Sequence, residues 1–462
     1  MKWIPFITIA SLIFSASCKT ISPTIPAYNE QSKKYTPKSS QVGIPIEIPL
    51  KVIENLVNKK FSGLIYVDDS YTQPTNDDIK IKVTVNKRIL LTGQGNSISY
   101  QIPLSIWAQG RWSACPICPA IERETSFDID VFLQSSFELK EDYQFKINTS
   151  SKGFQWKKSP TVSIGPIDIP IGRFVEDAII TQLKEITIDI DKNVNASMDL
   201  KSQMNGIWGL LQDPFLLDDS TNTWLKIVPT AIKMEPIRID SQKVKIKMSL
   251  ESFFETWTGS KPETVAKKNL PNLKIERLSG QNFTISIRSI LGYEKASMIA
   301  KETLSGQTFS FKRKKITVND IKIFGKGDKV YFHLFISGSV KGEIYLFGIP
   351  IYDPVTNELY FEKLDYDINT KNILIKSADW ILGSMFQKKL ENKLRFSFDH
   401  EVKKIKSELA STISNYQYKN LYTLKGGLDS FSVQDIYLTD SYFEIILNAS
   451  GYSNIQIKNI EF

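Results

Sequence analysis

Few residues in this chain have both the type and the spacing to do chemistry. The 462 residues include three cysteines and only two histidines. Cys115 and Cys118 form Cys-Pro-Ile-Cys, with Pro119 directly after. Zinc would need further ligands, usually a second such pair or nearby histidines, and the sequence supplies neither. A thioredoxin-like role would want the pair at a helix start, which lowers the thiol pKa; Pro116 and Pro119 bracket a loop instead. Three readings stay open, in this order: a local disulfide, two free thiols, and redox chemistry. His333 lies in a strand-like run and His400 in a charged helical stretch, far apart in sequence. That shortage weakens any Ser-His-Asp or Cys-His arrangement. Asp365 and Asp367 share one face of a strand, but the other oxygens that calcium demands are not visible. Glycoside hydrolysis needs only two carboxylates, so composition leaves it open, yet no motif selects a pair. The expectation is a protein that is not an enzyme, with no cofactor and no metal.

The remaining cysteine stands apart. Lys2 gives a positive start, Ile4 to Phe14 an apolar run, and Ser15-Ala16-Ser17-Cys18 a small-residue cleavage site. This reads as a secretory signal, with Cys18 as a lipidation site and first mature residue. Ser15 and Ser17 depart from the usual lipobox, so ordinary cleavage near Ala16 is the alternative. With Cys18 lipidated, the two other cysteines form an even count, which suits an oxidising compartment. From Lys19 to about Ser40 the chain is rich in Ser, Thr, Pro and Lys. Such a segment buries too little apolar surface to offset its chain entropy. It is expected to be a flexible tether.

The positions to be placed are apolar, and helices and long strands must position them. Pro49 suits a helix start, and Leu50, Ile53, Leu56 and Val57 then make one stripe at helical spacing, with Gly63 as a stop. Phe174, Val175, Ala178, Ile179 and Leu183 mark a second helix over roughly 173–184. Between them, Ile79 to Val85, Ser97 to Trp107 and Thr125 to Phe132 alternate with period two, as antiparallel strands do when one face is buried. Lys295 to Gly306 reads as a third helix. Its end, Leu304-Ser305-Gly306, lines up with Phe61-Ser62-Gly63. Strands follow over 315–324, 330–340, 343–349 and 359–368. A long helical region begins near Ser377, carries Ile381, Leu382 and Met385, breaks into two pieces near Phe396-Ser397-Phe398-Asp399, and ends at Gly426-Gly427. Asp353 to Glu358 reads as a hairpin turn. Strands near 431–438 and 442–449 close the chain.

Each half thus reads as helix, strands, helix. The expected division is a signal peptide over 1–17, the tether over 18–40, a first module over 41–204, a central joining segment over 205–250 and a second module over 251–462. The fold class is α+β, with two tandem modules, each a bent antiparallel sheet wrapped around long helices, joined through a central sheet. After the leader, no run reaches the roughly 20 apolar residues of a spanning helix. The net charge is +8, a mild bias toward anionic headgroups or polysaccharide. Its one cluster, Lys312-Arg313-Lys314-Lys315, is read first as a solvated face. Nucleic acid is not an expected partner of an exported lipoprotein.

Two pieces carry a resemblance. One is Trp208-Gly209-Leu210-Leu211-Gln212-Asp213-Pro214. The other is Gly348-Ile349-Pro350-Ile351-Tyr352-Asp353-Pro354, followed by Leu364-Asp365-Tyr366-Asp367 and Ala378-Asp379-Trp380-Ile381-Leu382. With the leader, they resemble a family of uncharacterised bacterial outer-envelope lipoproteins over nearly the whole mature chain. More distantly, the doubled plan is similar to the tubular lipid-binding superfamily of the bactericidal/permeability-increasing protein. That resemblance implies an apolar channel between helix and bent sheet. Its candidate lining is Leu50, Ile53, Leu56, Val57, Phe174, Ala178, Ile179, Leu183, Ile381, Leu382 and Met385, although each such residue can equally fill a core. The function expected from it is a membrane-anchored lipoprotein that binds lipid or another hydrophobic ligand, with a part in envelope lipid transfer. The alternative is a structural or assembly lipoprotein that scaffolds an envelope protein partner. The expected location is the cell envelope, lipid-anchored through Cys18, in the outer membrane.

Overall fold

The computed structural model describes residues 20–26, 35–72, 78–113, 115, 117–164, 166–197, 199–219, 221–263, 266–278, 282–382 and 384–459. The signal peptide and Cys18 lie outside the described residues. The chain is α+β and mostly antiparallel, with three large sheets and one two-stranded ribbon.

The N-terminal sheet runs Gly63–Asp68, Ile79–Val85, Ser97–Trp112, Ile121–Leu139, Phe145–Lys158, with Leu90–Gln94 also paired to Ser97–Trp112. Alternation sets its two faces. Ile98, Tyr100, Ile102, Leu104 and Ile106 point to one side of their strand, and Phe127, Ile129, Val131 and Leu133 continue that side on the next. Two helices lie on it. Helix α1 (Leu50–Lys60) enters through Pro49 as its N-cap. Helix α2 (Gly172–Ser197) is 26 residues long and packs along Phe145–Lys158. It runs thirteen residues past the expected end at Lys184. Ile186, Ile188 and Ile190 alternate as a strand would, but the helix continues and leaves Ile188 58% exposed.

The central sheet has ten strands, ordered from Phe215–Asp218 through Thr223–Met234, Lys243–Thr258, Asn282–Gly292, Ser40–Pro49, Tyr442–Ile457 and Tyr422–Leu438 to Tyr416–Tyr418 along its main path. It therefore draws strands from both ends of the chain as well as from the middle. Helix α3 (Leu200–Leu211) packs beside it, with Trp208 buried and its indole N–H donating to the Lys268 carbonyl at 3.0 Å. Arg288 ties three of its strands together, reaching Glu255 at 2.8 Å and Glu444 at 2.6 Å.

The C-terminal sheet runs Thr308–Phe311, Lys314–Lys326, Lys329–Gly338, Lys341–Asp353, Glu358–Tyr366, Phe396–Ser397. Helices α4 (Tyr293–Leu304), α5 (Ile368–Ser377) and α6 (Ser384–Lys393) contribute to its large apolar core. Helix α7 (Asp399–Ser414) packs instead on Tyr422–Leu438. The expected break falls at Phe396–Ser397, the part before it divides further at Ala378 and after Leu382, and the helical region closes at Ser414, not at Gly426-Gly427. Those glycines sit within a strand, where a Cβ on Gly427 would come 2.7 Å from the Tyr452 ring.

Part of the stretch read as a tether is pinned, while its residues 18–19 and 27–34 lie outside the described residues. Thr20–Ile21 pairs in parallel with Lys341–Gly342, and Ile21 is buried in the C-terminal core. Ile21, Pro23 and Pro26 are buried in this otherwise polar segment, which composition alone did not reveal. The two aligned glycines share a positive φ but not a place: Gly306 directly follows the C-cap of α4, whereas Gly63 lies two residues past the C-cap of α1 and opens the strand Gly63–Asp68. Gly63 after α1 has φ +72° and Gly306 after α4 has φ +79°, the left-handed conformation that glycine adopts at little cost.

Candidate functional site

The two sheet–helix units are filled differently. In the C-terminal unit Phe332, Leu334, Ile344 and Leu346, on adjacent central strands, are completely buried. In the N-terminal unit Ile102, Leu104 and Ile106 lie on an equally central strand, yet remain partly exposed. Phe61 at the end of α1 is 47% exposed, whereas Leu304 at the end of α4 is 0% exposed.

Side-chain packing explains the difference. The α1 side gathers Leu50, Val85, Ile89, Leu91 and Ile98, with Ile53 and Val57 against them. The α2 side gathers Phe127, Ile129, Val131, Leu133 and Leu183, with Ile179 and Ile190 against them. Tyr100, Ile102 and Leu104 touch both groups and belong to the buried part of neither. They form the floor of an apolar seam between the helices. From Tyr100 to Ile106 that floor runs about 20 Å at strand rise. One leaflet of a bilayer's hydrocarbon core is roughly 15 Å deep.

Polar clamps hold the helices on either side. Asn58 of α1 accepts the Ile89 amide at 2.8 Å and donates to the Ile89 carbonyl at 2.9 Å. Asp191 of α2 accepts the Thr149 amide at 3.0 and 2.9 Å, and Asn195 accepts the Ile147 amide at 3.0 Å. Such bonds use backbone groups, on a strand at Ile147 and Thr149 and just before one at Ile89, that need partners, and they hold the helices without demanding tight apolar packing. Glu54 on α1 is buried, which raises its pKa, but its bonds to Lys51 and Arg88 outweigh that and hold it below the usual carboxylate range. Burial pushes the Tyr100 phenol up, with a hydrogen bond to Ser135 pulling the other way.

A cavity of about 730 Å³ opens beside the C-terminal half of α2. Phe137, Leu139, Ile147 and Ile237 give it apolar walls, and Asn148, Asp191, Asn195 and Lys146 give it polar ones. Its size is ordinary for a small-molecule site. A second recess of about 410 Å³ touches Tyr100, Phe132, Leu133 and Lys152.

The residues read from sequence divide accordingly. Leu50, Ile53 and Val57 pack on the α1 side and Ile179 and Leu183 on the α2 side; Leu56 is partly exposed. Ala178 is exposed, one residue off the stripe that faces the sheet. The side chain of Phe174 lies outside the described residues. Ile381 and Leu382 belong to the C-terminal core and never meet the first set. Met385 is 59% exposed, because a short 3₁₀ turn ends at Leu382 and α6 begins anew at Ser384. Its neighbour Phe386 takes the inward position instead. The floor residues Tyr100, Ile102, Leu104 and Ile106 were not singled out, although their strand alternation was visible. The clamps Asp191 and Asn195 carried a signal too: two polar residues four apart, on one helical flank.

The other chemical candidates make local contacts, except His400, whose side chain lies outside the described residues. A disulfide joins Cys115 and Cys118 in an exposed loop. His333 Nε2 meets Glu343 Oε2 at 2.8 Å. Asp367 caps α5 by accepting the Asn369 amide, and Asp353 accepts the Val355 amide in its turn. No group of three or more potential metal ligands occurs among the described residues, and no helix there is long and apolar enough to cross a membrane.

No curated protein matches the chain by sequence. Two solved structures are similar at a low level. A lipopolysaccharide binding protein is 12% identical with a TM-score of 0.26, over 92% of this chain and 100% of that one. The P47 protein of Clostridium botulinum E1 is 12% identical with a TM-score of 0.20, over 89% and 99%. At these scores neither likeness bears on the ligand. The family match is of another order, spanning residues 38–457, and the chain belongs to the family described as Domain of unknown function (DUF4403).

Proposed function

We propose that this protein binds a lipid, or another ligand with a long apolar part, in the seam of its N-terminal unit. The observation that carries this reading is the partial exposure of Ile102, Leu104 and Ile106 at the centre of a sheet, between two helices that are held by polar clamps. Apolar side chains in the middle of a sheet face are normally covered. Here the cover is incomplete over about 20 Å of strand, a length that suits one acyl chain. The cavity beside Asp191, Asn195 and Lys146 offers polar partners for a headgroup.

In this reading the N- and C-terminal units, each an antiparallel sheet with helices on it, are two modules of one plan. The first module carries the ligand and the second is a filled counterpart. The chain is a lipoprotein anchored at the outer membrane through Cys18, has no catalytic role, and works in envelope lipid transfer.

The test uses full-length protein carrying Cys18→Ser, so that no covalent acyl chain is present. Organic extraction followed by mass spectrometry is expected to recover lipid near one per protein. Leu104→Trp, which fills the seam, is expected to lower that content at least fivefold. Protein that repeatedly yields no lipid, also after incubation with labelled phospholipid, would refute the reading.

A second reading has its own observation. Leu64, Ile65, Tyr66 and Val67 are all exposed on Gly63–Asp68, the edge strand of the same sheet. Exposed apolar edge strands are ready to pair with another chain, which fits an assembly role. Crosslinking from this strand to a stable envelope protein, with no lipid in the seam, would favour it.

A further inference from the structure

The basic cluster that sequence alone assigns to a solvated face sits at a particular place in the fold. Lys312 and Arg313 form the tip of the hairpin between Thr308–Phe311 and Lys314–Lys326. Lys315 leads into the neighbouring turn, where its amide donates to Ser339 at 3.0 Å and the Ser339 amide donates back to its carbonyl. Two residues on, Lys341 begins the next strand, and Thr20 pairs directly with it. The hairpin, this turn and Thr20 therefore occupy one end of the C-terminal sheet. Lys312, Arg313, Lys314, Lys315 and Lys341 are all exposed there. Lys312, Arg313, Lys315 and Lys341 make no ion pair among the described residues. Lys314 instead lies 5.1 Å over the Trp380 ring, with the acidic Asp379 next to it in sequence.

Two details mark this corner, the first shared with Lys363 and Lys419, which also take positive φ. Lys312 is held at φ +52°. A β-carbon makes that conformation costly, and hairpin tips usually give it to glycine or asparagine. The chain thus keeps charge at a position where a neutral small residue would be easier. The second detail is Cys18. Thr20 is fixed on the sheet, and two residues span at most about 7 Å. If Cys18 carries the proposed anchor, that chain length starts the anchor close to this corner.

We propose that this basic corner, formed by Lys312, Arg313, Lys315 and Lys341, is the membrane-facing surface of the protein and binds anionic lipid headgroups. A lysine or arginine near an anionic bilayer gains roughly fivefold in partitioning. Trp380 stands beside the cluster, a residue type favoured at the bilayer interface. This surface is separate from the N-terminal seam, so it stands whether or not that seam holds lipid.

The test is co-sedimentation of full-length Cys18→Ser protein with vesicles of phosphatidylcholine alone or with phosphatidylglycerol at about one third. Binding is expected only to the anionic vesicles, and 0.5 M salt, at roughly half the Debye length of physiological buffer, is expected to abolish it. The triple change Lys312→Glu, Arg313→Glu, Lys315→Glu should reduce partitioning at least tenfold, with unchanged far-UV circular dichroism and unchanged seam lipid. Lys315→Gln with Lys341→Gln, a milder pair, should give a smaller loss if the triple variant misfolds. Equal binding to both vesicle types, or unchanged binding after charge reversal, would overturn the proposal.

Discussion

Asp191 of α2 accepts the Thr149 amide with both carboxylate oxygens, at 3.0 and 2.9 Å. The bond ties the longest described helix to a strand through polar atoms, while the apolar floor two strands further in stays partly open. Asp191→Ala removes a charged acceptor and leaves a strand amide without its partner. The cost is expected to be about 2 kcal/mol, read as a lower urea midpoint. Hydrogen exchange should rise first at residues 147–149. Unchanged protection there would show that the clamp does not hold the helix.

The two interiors should respond differently to truncation. Leu334 is completely buried in the C-terminal core, so Leu334→Ala is expected to cost about 3 kcal/mol. Leu104 faces the seam and should cost about 1 kcal/mol when cut to alanine, since part of it is already in contact with solvent. Equal losses from denaturant melts would mean that the seam is packed as tightly as the core.

Gly342 makes room for the N-terminal strand. Its φ is +139°, and a Cβ there would run into the Ile21 carbonyl. Gly342→Val is therefore expected to release Thr20–Ile21 from the sheet. Amides over 20–26 should lose protection from exchange, while the core around Phe332 keeps its own. Retained protection of Ile21 would contradict this account of how the segment is held.

Arg288 is the hinge of a charged trio in the central sheet, and its partner Glu444 is buried. Removing one member of such a set leaves the others uncompensated. Arg288→Met is expected to cost about 3 kcal/mol. Adding Glu444→Gln should restore part of that loss in a double-mutant cycle. A cycle with no coupling would mean that solvent already satisfies Glu444.

Acid should weaken the fold through its depressed carboxylates. A hydrogen bond from Lys245, with the amides of Gln242 and Lys243, holds Asp240 down at about 2. Hydrogen bonding from Lys233 does the same in direction for Glu251. Burial pushes Glu54 up, but its Lys51 and Arg88 bonds leave it lowered overall. A group whose pKa is lower folded than unfolded stabilises above its unfolded pKa and loses that gain as pH falls through the folded one. Stability should therefore decline from about pH 4.5 downward, and for Asp240 over the window from about 3.8 to about 2. A melting temperature that is flat from pH 5 to pH 2.5 would contradict this.

Much of the fold was legible as period. The alternation from Ile98 to Ile106 and the stripe Leu50, Ile53 and Val57 depend only on neighbours along the chain, so sequence displays them directly. Where period was ambiguous, the reading failed. Ile186, Ile188 and Ile190 alternate like a strand, yet Asp191 and Asn195 gain the amides of Thr149 and Ile147 only if the helix continues. Met385 fell out of phase because a helix restarts at Ser384.

By itself the sequence determined the element types, the α+β class, the apolar faces and the scarcity of catalytic groups, because these follow from residue chemistry and local spacing. Only the tertiary structure decided which apolar faces are covered. Whether Leu104 is sealed like Leu334 depends on how far two helices stand from a sheet, and polar bonds between residues more than thirty positions apart set that distance. The same holds for Ile21. Its burial comes from a strand more than three hundred residues away, and no local pattern around it announces that partner.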